Sequence, residues 1–338
     1  MKPNLKNRPN RLIGIRTLIQ KNSISPSRES DIIKPPQQTT GKARVITRFG
    51  AEVLVRTEQQ QLLRCTARRK FEHIACGDYV MWQADAQNNA HIKQLLPRKN
   101  TLSRPDRRGR AKAIAANIDQ LFIVTAWLPK PSWSLVDRYI IAAAKLDISA
   151  IIVINKQDLA AHHATADDQR ALAEYTQIAY PILPTQANAS SHITETEVHG
   201  IDLIHQYLQG KTSIFVGQSG VGKSSIIGQI LPERHIRTGT ISATGEGRHT
   251  TTTADLYELN AHTAVIDSPG VRDFLLADLQ VDDIVQGYRE FTAFAGQCRF
   301  HNCRHQHEPH CAVKQAVQQQ QLPALRYQRY LTQLAAYK

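Results

Sequence analysis

Gly217-Gln-Ser-Gly-Val-Gly-Lys-Ser224 fits the pattern G-x-x-x-x-G-K-[ST], in which a strand passes through a glycine-rich loop into a helix. Ser213-Ile-Phe-Val precedes it with strand character, and Ser225-Ile-Ile-Gly-Gln-Ile-Leu follows with helical spacing. The glycines let backbone N–H groups of Gly217, Gln218, Ser219, Gly220, Val221, Gly222 and Ser225 wrap phosphate oxygens at a helix N-terminus. Lys223 is expected to reach the β- and γ-phosphates, and the Ser224 hydroxyl to hold Mg²⁺. Average composition gives a chance match of about one in a hundred in a chain this long. The strand and helix around the loop lower that further, so this stretch decides for an α/β P-loop domain.

Downstream, the apolar run Thr263-Ala-Val-Ile ends in Asp267-Ser-Pro-Gly270. An Asp at a strand end can hold Mg²⁺ through water, and the Gly270 N–H can meet a γ-phosphate. Between the two motifs, Gly247-Arg-His-Thr-Thr-Thr-Thr253 lies where a first switch belongs. Thr251 is the favoured Mg²⁺ ligand there, with Thr250 and Thr252 as open alternatives. Val271 follows Gly270 and cannot orient a water, so His249, beside the threonines, is the candidate catalytic side chain. A packing or RNA-contact role for His249 stays equally open.

Upstream, Ile148-Ser-Ala-Ile-Ile-Val-Ile ends in Asn155-Lys-Gln-Asp158. Asp158 can accept from guanine N1 and N2 together, Lys156 can cover the base, and Asn155 can steady neighbouring loops. Pro184-Thr-Gln-Ala187 is a weaker candidate for a second base loop. The base-reading motif therefore precedes the phosphate loop, whereas an ordinary GTPase runs the other way. The site can still assemble if the sheet is circularly permuted.

Texture divides the 338 residues further. Residues 1–38 carry eight Lys/Arg against Glu29 and Asp31, with five prolines, and read as a basic disordered tail. Residues 39–97 hold five short alternating runs, from Ala43-Arg-Val-Ile-Thr-Arg to His91-Ile-Lys-Gln-Leu-Leu, which suit a small closed barrel of OB type. An SH3-like barrel is the alternative. Residues 98–116 read as a basic linker containing Arg98, Lys99, Arg104, Arg107, Arg108, Arg110 and Lys112. From 117 to 280, near-continuous apolar runs alternate with helical ones, as in a parallel sheet buried on both faces. Ser134 is the expected N-cap of the first helix there. A net charge of +13 calls for a polyanionic partner. No run reaches the roughly 18 to 20 apolar residues of a membrane span, and the N-terminus lacks a secretory segment, so a cytoplasmic protein is expected.

Five cysteines are an odd number, and three cluster as Cys298-x₄-Cys303-x-His305-x₅-Cys311. Three thiolates and one imidazole at short spacing suit a closed structural zinc site, with His301, His307 and His310 as competing ligands. Residues 281–338 thus read as a small zinc-binding helical module. Cys65 and Cys76 read as small core residues. Arg326, Tyr327, Arg329 and Tyr330 have the spacing of one helix face, either RNA-facing or solvated.

Together, the barrel, Asn155 to Asp158, Gly217 to Ser225, Gly247 to Thr252, Asp267 to Gly270 and the Cys/His cluster resemble the circularly permuted RsgA (YjeQ) family of bacterial small-ribosomal-subunit biogenesis GTPases. The resemblance implies GTP hydrolysis stimulated by the 30S subunit, contact with 16S rRNA and release late in subunit maturation. It also implies GTP/GDP, Mg²⁺ and one structural Zn²⁺ in a monomer. The region around Thr185 departs from the family's usual Ser-rich base loop. Two other readings stand beside it: an RNA-binding assembly scaffold whose nucleotide is structural, and a permuted GTPase acting on the large subunit.

Overall fold

A computed structural model of the chain describes residues 32–105, 111–187, 200–231, 254–267 and 279–337. The alternating runs form strands β2 (Thr40–Phe49), β3 (Glu52–Thr57), β4 (Leu62–Thr66), β5 (Tyr79–Ala84) and β6 (Ala90–Leu95). Their inward residues, among them Val45, Val53, Val55, Leu63, Val80 and Ile92, make one apolar core. The sheet runs β4-β3-β2-β5-β6 and closes through a parallel β4–β6 pairing. This closed five-strand order is that of the OB fold. Two expectations are corrected here. The tail boundary at residue 38 is too late, because β1 (Ile32–Ile33) adds a parallel strand beside Leu62 and Leu63. The basic linker is a hairpin, β7 (Thr101–Pro105) with β8 (Ala111–Ala116). Arg98 lies against the buried Asp78 at 2.7 Å, and Lys99 makes a solvent-facing pair with Asp119 at 2.9 Å. Arg107, Arg108 and Arg110 lie outside the described residues.

The second sheet has the order β11-β10-β9-β12-β14-β13, from β9 (Gln120–Ala126), β10 (Ser149–Asn155), β11 (Ile182–Pro184), β12 (Thr212–Gly217), β13 (Asp255–Asn260) and β14 (Thr263–Asp267). All pairings are parallel except the edge pair β13–β14. β9, β10 and β12 are buried on both faces, which is why their sequences are nearly unbroken apolar runs. Helices α1 (Trp133–Lys145) and α2 (Ala166–Gln177) are followed by α3 (Gly200–Leu208) and α4 (Lys223–Ile230). Chain order runs outward from β9 to β11, then returns across β9 to β12. That reversal makes a switch point between β9 and β12, where ligands of open α/β sheets bind. The N-cap of α1 is Ser132 rather than Ser134; Pro131 ends the preceding loop and the helix starts two residues early.

The C-terminal residues form α5 (Val281–Gly287), the Cys/His loop, α6 (Ala312–Gln318) and α7 (Ala324–Ala335). Neither reading of the α7 stripe holds. Arg326 and Tyr330 are fully buried. Arg326 pairs with Asp137 of α1 and with Glu290, while Arg329 meets Asp137 at 2.6 Å and Glu174 of α2 at 3.4 Å. Charges spaced along a helix look solvated when acidic partners such as Asp137 and Glu174 lie about 150 to 190 residues away in sequence. Cys65 and Cys76 are buried core residues, as their isolation implies. No helix among the described residues is long and apolar enough to cross a membrane.

Candidate nucleotide site and metal centre

The sequence motifs whose positions are described meet at the carboxyl ends of β10, β12 and β14. The phosphate loop leaves β12 at Gly217 and enters α4 at Lys223. A Cβ on Gly217 would fall 2.0 Å from the Val124 carbonyl of β9, so only glycine lets the two strands run this close. At Gly222 (φ +93) a Cβ would fall 2.2 Å from the Asn155 amide nitrogen. The phosphate loop and the base-reading motif therefore interlock at a point with no room for a side chain.

Asn155, 2% exposed, joins three segments. Its amide donates to the Val221 carbonyl at 2.9 Å, and its carbonyl accepts from the Ala187 N–H at 3.1 Å and the Thr185 hydroxyl at 3.5 Å. Lys156 adopts the left-handed conformation (φ +60), and its ammonium donates to the Gly220 carbonyl at 2.8 Å and the Leu128 carbonyl at 2.7 Å. Lys223 donates to the Gly217 and Gln218 carbonyls at 2.9 and 2.6 Å, which holds its ammonium in the mouth of the loop. Asp158, Ser219, Gly220, Ser224 and Ser225 are exposed around the same crevice, Val221 is buried beneath it, and Asp267 is half-buried at the end of β14. His249, Thr250, Thr251, Thr252, Gly270 and Val271 lie outside the described residues.

Sequence reasoning missed the loop after β9. The Leu128 carbonyl anchors Lys156, and Pro129 packs under Gly220, 3.7 Å from where a Cβ would stand. The available signal was its position: it leaves the central strand at the switch point, yet carries no motif. The weakly marked Thr185–Ala187 segment proves to be bound to Asn155, and Gln229 of α4 donates to the Ala187 carbonyl.

The ligand atoms of Cys298, Cys303, His305 and Cys311 lie within 4.8 Å of one another. Cys298 Sγ is 3.9 Å from Cys311 Sγ and 3.6 Å from His305 Nδ1, and His305 Nδ1 is 3.4 Å from Cys311 Sγ. A tetrahedral ion about 2.3 Å from each sulfur and about 2.0 Å from nitrogen needs edges of roughly 3.8 and 3.5 Å. The donor set fits zinc on type and on size. Burial raises the Cys303 and Cys311 thiols and lowers the His305 imidazole, so only a cation among them would keep the sulfurs as thiolates. His301, His307 and His310 are exposed, which removes them as competitors. Two supports escaped the sequence: Glu308 accepts the N–H groups of Arg304, Gln306 and His307, and the hydroxyls of Tyr327 and Tyr330 donate to the His305 and Arg304 carbonyls at 2.7 and 2.5 Å.

Comparison with known proteins agrees with this geometry. A family model described as RsgA GTPase matches residues 95–277. A "Small ribosomal subunit biogenesis GTPase RsgA" of Actinobacillus pleuropneumoniae serotype 5b is 41% identical over 291 residues, covering 85% of this chain and 82% of the relative. The protein of that name from Chromohalobacter salexigens is 41% identical over 293 residues, covering 85% and 83%. The crystal structure of YjeQ from Thermotoga maritima aligns with a TM-score of 0.69 at 29% identity, covering 88% of this chain and 99% of that one. That of YloQ, described as a circularly permuted GTPase, aligns with a TM-score of 0.68 at 27% identity, covering 88% and 95%. With its base-reading motif ahead of its phosphate loop and both locked together at Asn155, the chain belongs to the RsgA GTPase family.

Proposed function

We propose that this GTPase hydrolyses GTP while docked on the small ribosomal subunit, in contact with 16S rRNA, and leaves as a monomer late in the subunit's maturation. Asn155 carries the nucleotide part of the reading. It ties the phosphate loop to the Thr185–Ala187 segment, so a guanine held by Asp158 and covered by Lys156 would lie in register with phosphates held by Gly217 to Ser225. Lys223 serves the β- and γ-phosphates, and Asp267 and Gly270 serve the γ-phosphate end. Ser224 and Thr251 would hold Mg²⁺, which would supply charge neutralisation at the transferring phosphoryl group. His249 is the candidate side chain near the attacking water. Cys298, Cys303, His305 and Cys311 would hold one structural Zn²⁺.

The ribosomal part is supported by the relatives' name, small ribosomal subunit biogenesis GTPase, and by the net charge of +13. The whole chain would then work in the cytoplasm, where subunits mature. GTP turnover by the purified chain, alone and with isolated 30S or 50S subunits, tests it. Stimulation of at least about tenfold in kcat, near 1.4 kcal/mol of barrier, is expected with 30S alone. Stimulation by 50S, or by neither, overturns the assignment of the partner; a chain that binds 30S without stimulation acts as a scaffold.

A further inference from the structure

The barrel reaches into the nucleotide domain through two arginines. Arg44 of β2 and Arg56 of β3 stand directly opposite each other in the barrel sheet, and both are buried. Arg56 Nε donates to Glu258 of β13 at 2.7 Å, with side chains 4% and 5% exposed. Arg44 donates to the Thr212 hydroxyl at the start of β12 at 2.5 Å. One nitrogen of each guanidinium, Arg44 Nε and Arg56 Nη2, is buried without a hydrogen-bond partner. A buried ion pair left partly unsatisfied holds two domains no better than packed apolar side chains would. Adhesion alone does not account for this one.

The position of Glu258 does. It lies where β13 slips register against β14, between Glu258 and Asn260. A bulged edge strand is the least constrained part of a sheet. β14 ends on Asp267, and Asp255 at the start of β13 is its cross-strand partner. The barrel also abuts β14, since a Cβ on Gly77 would stand 3.6 Å from the Ile266 side chain. Ile46, Leu62 and Cys76 of the barrel share one apolar cluster with Leu256 and Ile266. We propose that Arg56 and Glu258 are a positioning pair for hydrolysis: through them the barrel fixes the β13–β14 ribbon, and with it Asp267 relative to the phosphate loop. This rests on the reading of Asp267 as a magnesium-side carboxylate.

The test uses the full chain without ribosomes, measuring kcat, GDP affinity and the Mg²⁺ concentration for half-maximal turnover. The variant Arg56→Met/Glu258→Leu replaces the pair by apolar side chains. Expected are GDP affinity within about twofold of wild type, kcat lowered about tenfold and the Mg²⁺ midpoint raised about fivefold, as for displacement of a group near the reacting phosphate. Arg56→Lys restores most of both. A folded double variant with kcat and Mg²⁺ midpoint unchanged overturns the proposal. If that variant does not fold, Glu258→Gln takes its place, with an expected rise of about threefold in the Mg²⁺ midpoint and an unchanged midpoint as the contrary result. Asp267→Asn separates the two levels. If it leaves the Mg²⁺ midpoint untouched, the reading of Asp267 fails; if it shifts the midpoint while the pair variants do not, only the positioning role fails.

Discussion

The nucleotide domain meets its two neighbours across boundaries built from the same chemistry, buried arginine against carboxylate, carried to different degrees of completion. On the C-terminal side Asp137 accepts from Arg326 and Tyr175 on one oxygen and from Arg329 on the other. Glu290 takes a second bond from Arg326, and Glu174 takes Arg329 and the Leu325 N–H. Although burial alone would lower it, Asp137 and Glu290 hold the Arg326 guanidinium well above its usual range. On the barrel side Arg56 pairs with Glu258 and Arg44 with the Thr212 hydroxyl, and one buried nitrogen of each guanidinium goes unpaired. Among Asp137, Glu174, Glu290, Arg326 and Arg329 no buried side-chain atom lacks a partner, although the neutral Tyr288 hydroxyl and Gln333 Oε1 beside them do. A network with its charges saturated specifies one arrangement, whereas one with unpaired guanidinium nitrogens leaves its strand pair adjustable. The saturated boundary backs α1 and α2, on the side of the strand that ends on Asn155. The unsaturated one backs the ribbon that ends on Asp267. On the proposed reading, the half that recognises guanine is held fixed and the half that meets the γ-phosphate is the half left to move.

The largest expected effect comes from breaking the saturated side. Arg326→Met leaves Glu290, 5% exposed, without its arginine and takes one of two arginines from Asp137, 0% exposed. It should cost about 3–5 kcal/mol, the range for removing one partner of a buried ion pair. Urea unfolding followed by tyrosine fluorescence measures it, because Tyr175, Tyr180 and Tyr288 ring the guanidinium. A loss near 0.5 kcal/mol, ordinary for a surface site, would erase the difference between the two boundaries.

This contrast was invisible before the fold. Gly217 to Ser224, Asn155 to Asp158 and the cysteines are legible because their chemistry depends on short local spacing, which a sequence displays. The barrel strands are legible for the same reason, since alternation has a period of two residues. Arg326 and Asp137 are 189 residues apart, and Arg56 and Glu258 are 202 apart. Nothing local distinguishes them from solvated charges until tertiary packing pairs them. The buried pairing of Arg98 was hidden in the same way, because Asp78 lies 20 residues off. His305 was legible only as one candidate ligand among rivals, and its burial beside the three thiols is what favours it.

An intermediate effect is expected where the network meets the Cys/His loop, on the proposed reading a zinc site. Tyr327 and Tyr330 hold the His305 and Arg304 carbonyls, so they orient the Cys/His loop from behind. Tyr327→Phe/Tyr330→Phe should weaken zinc binding about tenfold, the lower end for removing such supports, as measured by competition with a chromophoric chelator. Unchanged affinity would mean that the loop folds on its metal independently of α7, and the C-terminal boundary would then be two structures rather than one.

The smallest effect should come from Asp168, which tests whether α2 is held by its network or by its own end. Thr165 and Asp168 form a capping box: the Thr165 hydroxyl and N–H donate to Asp168 Oδ2 at 2.7 and 3.0 Å, and the Asp168 N–H donates back at 3.2 Å. Trp133 Nε1 donates to Asp168 Oδ1 at 2.8 Å, tying the first turns of α1 and α2 together. Burial pushes the carboxyl up, but the bonds from Thr165 and Trp133 outweigh it and hold its pKa below the ordinary value. A depressed folded pKa stabilises above the unfolded value, near 3.9, and that contribution is lost as pH falls through the folded value. Asp168→Asn should therefore cost about 1 kcal/mol at neutral pH, the usual worth of a cap. Variant and wild type should converge as the pH drops below about 4. Paired urea melts at pH 7 and pH 3.5 measure the gap. If it stays constant across that range, the carboxylate's charge plays no part, and α2 is placed by Glu174 and Tyr175 alone.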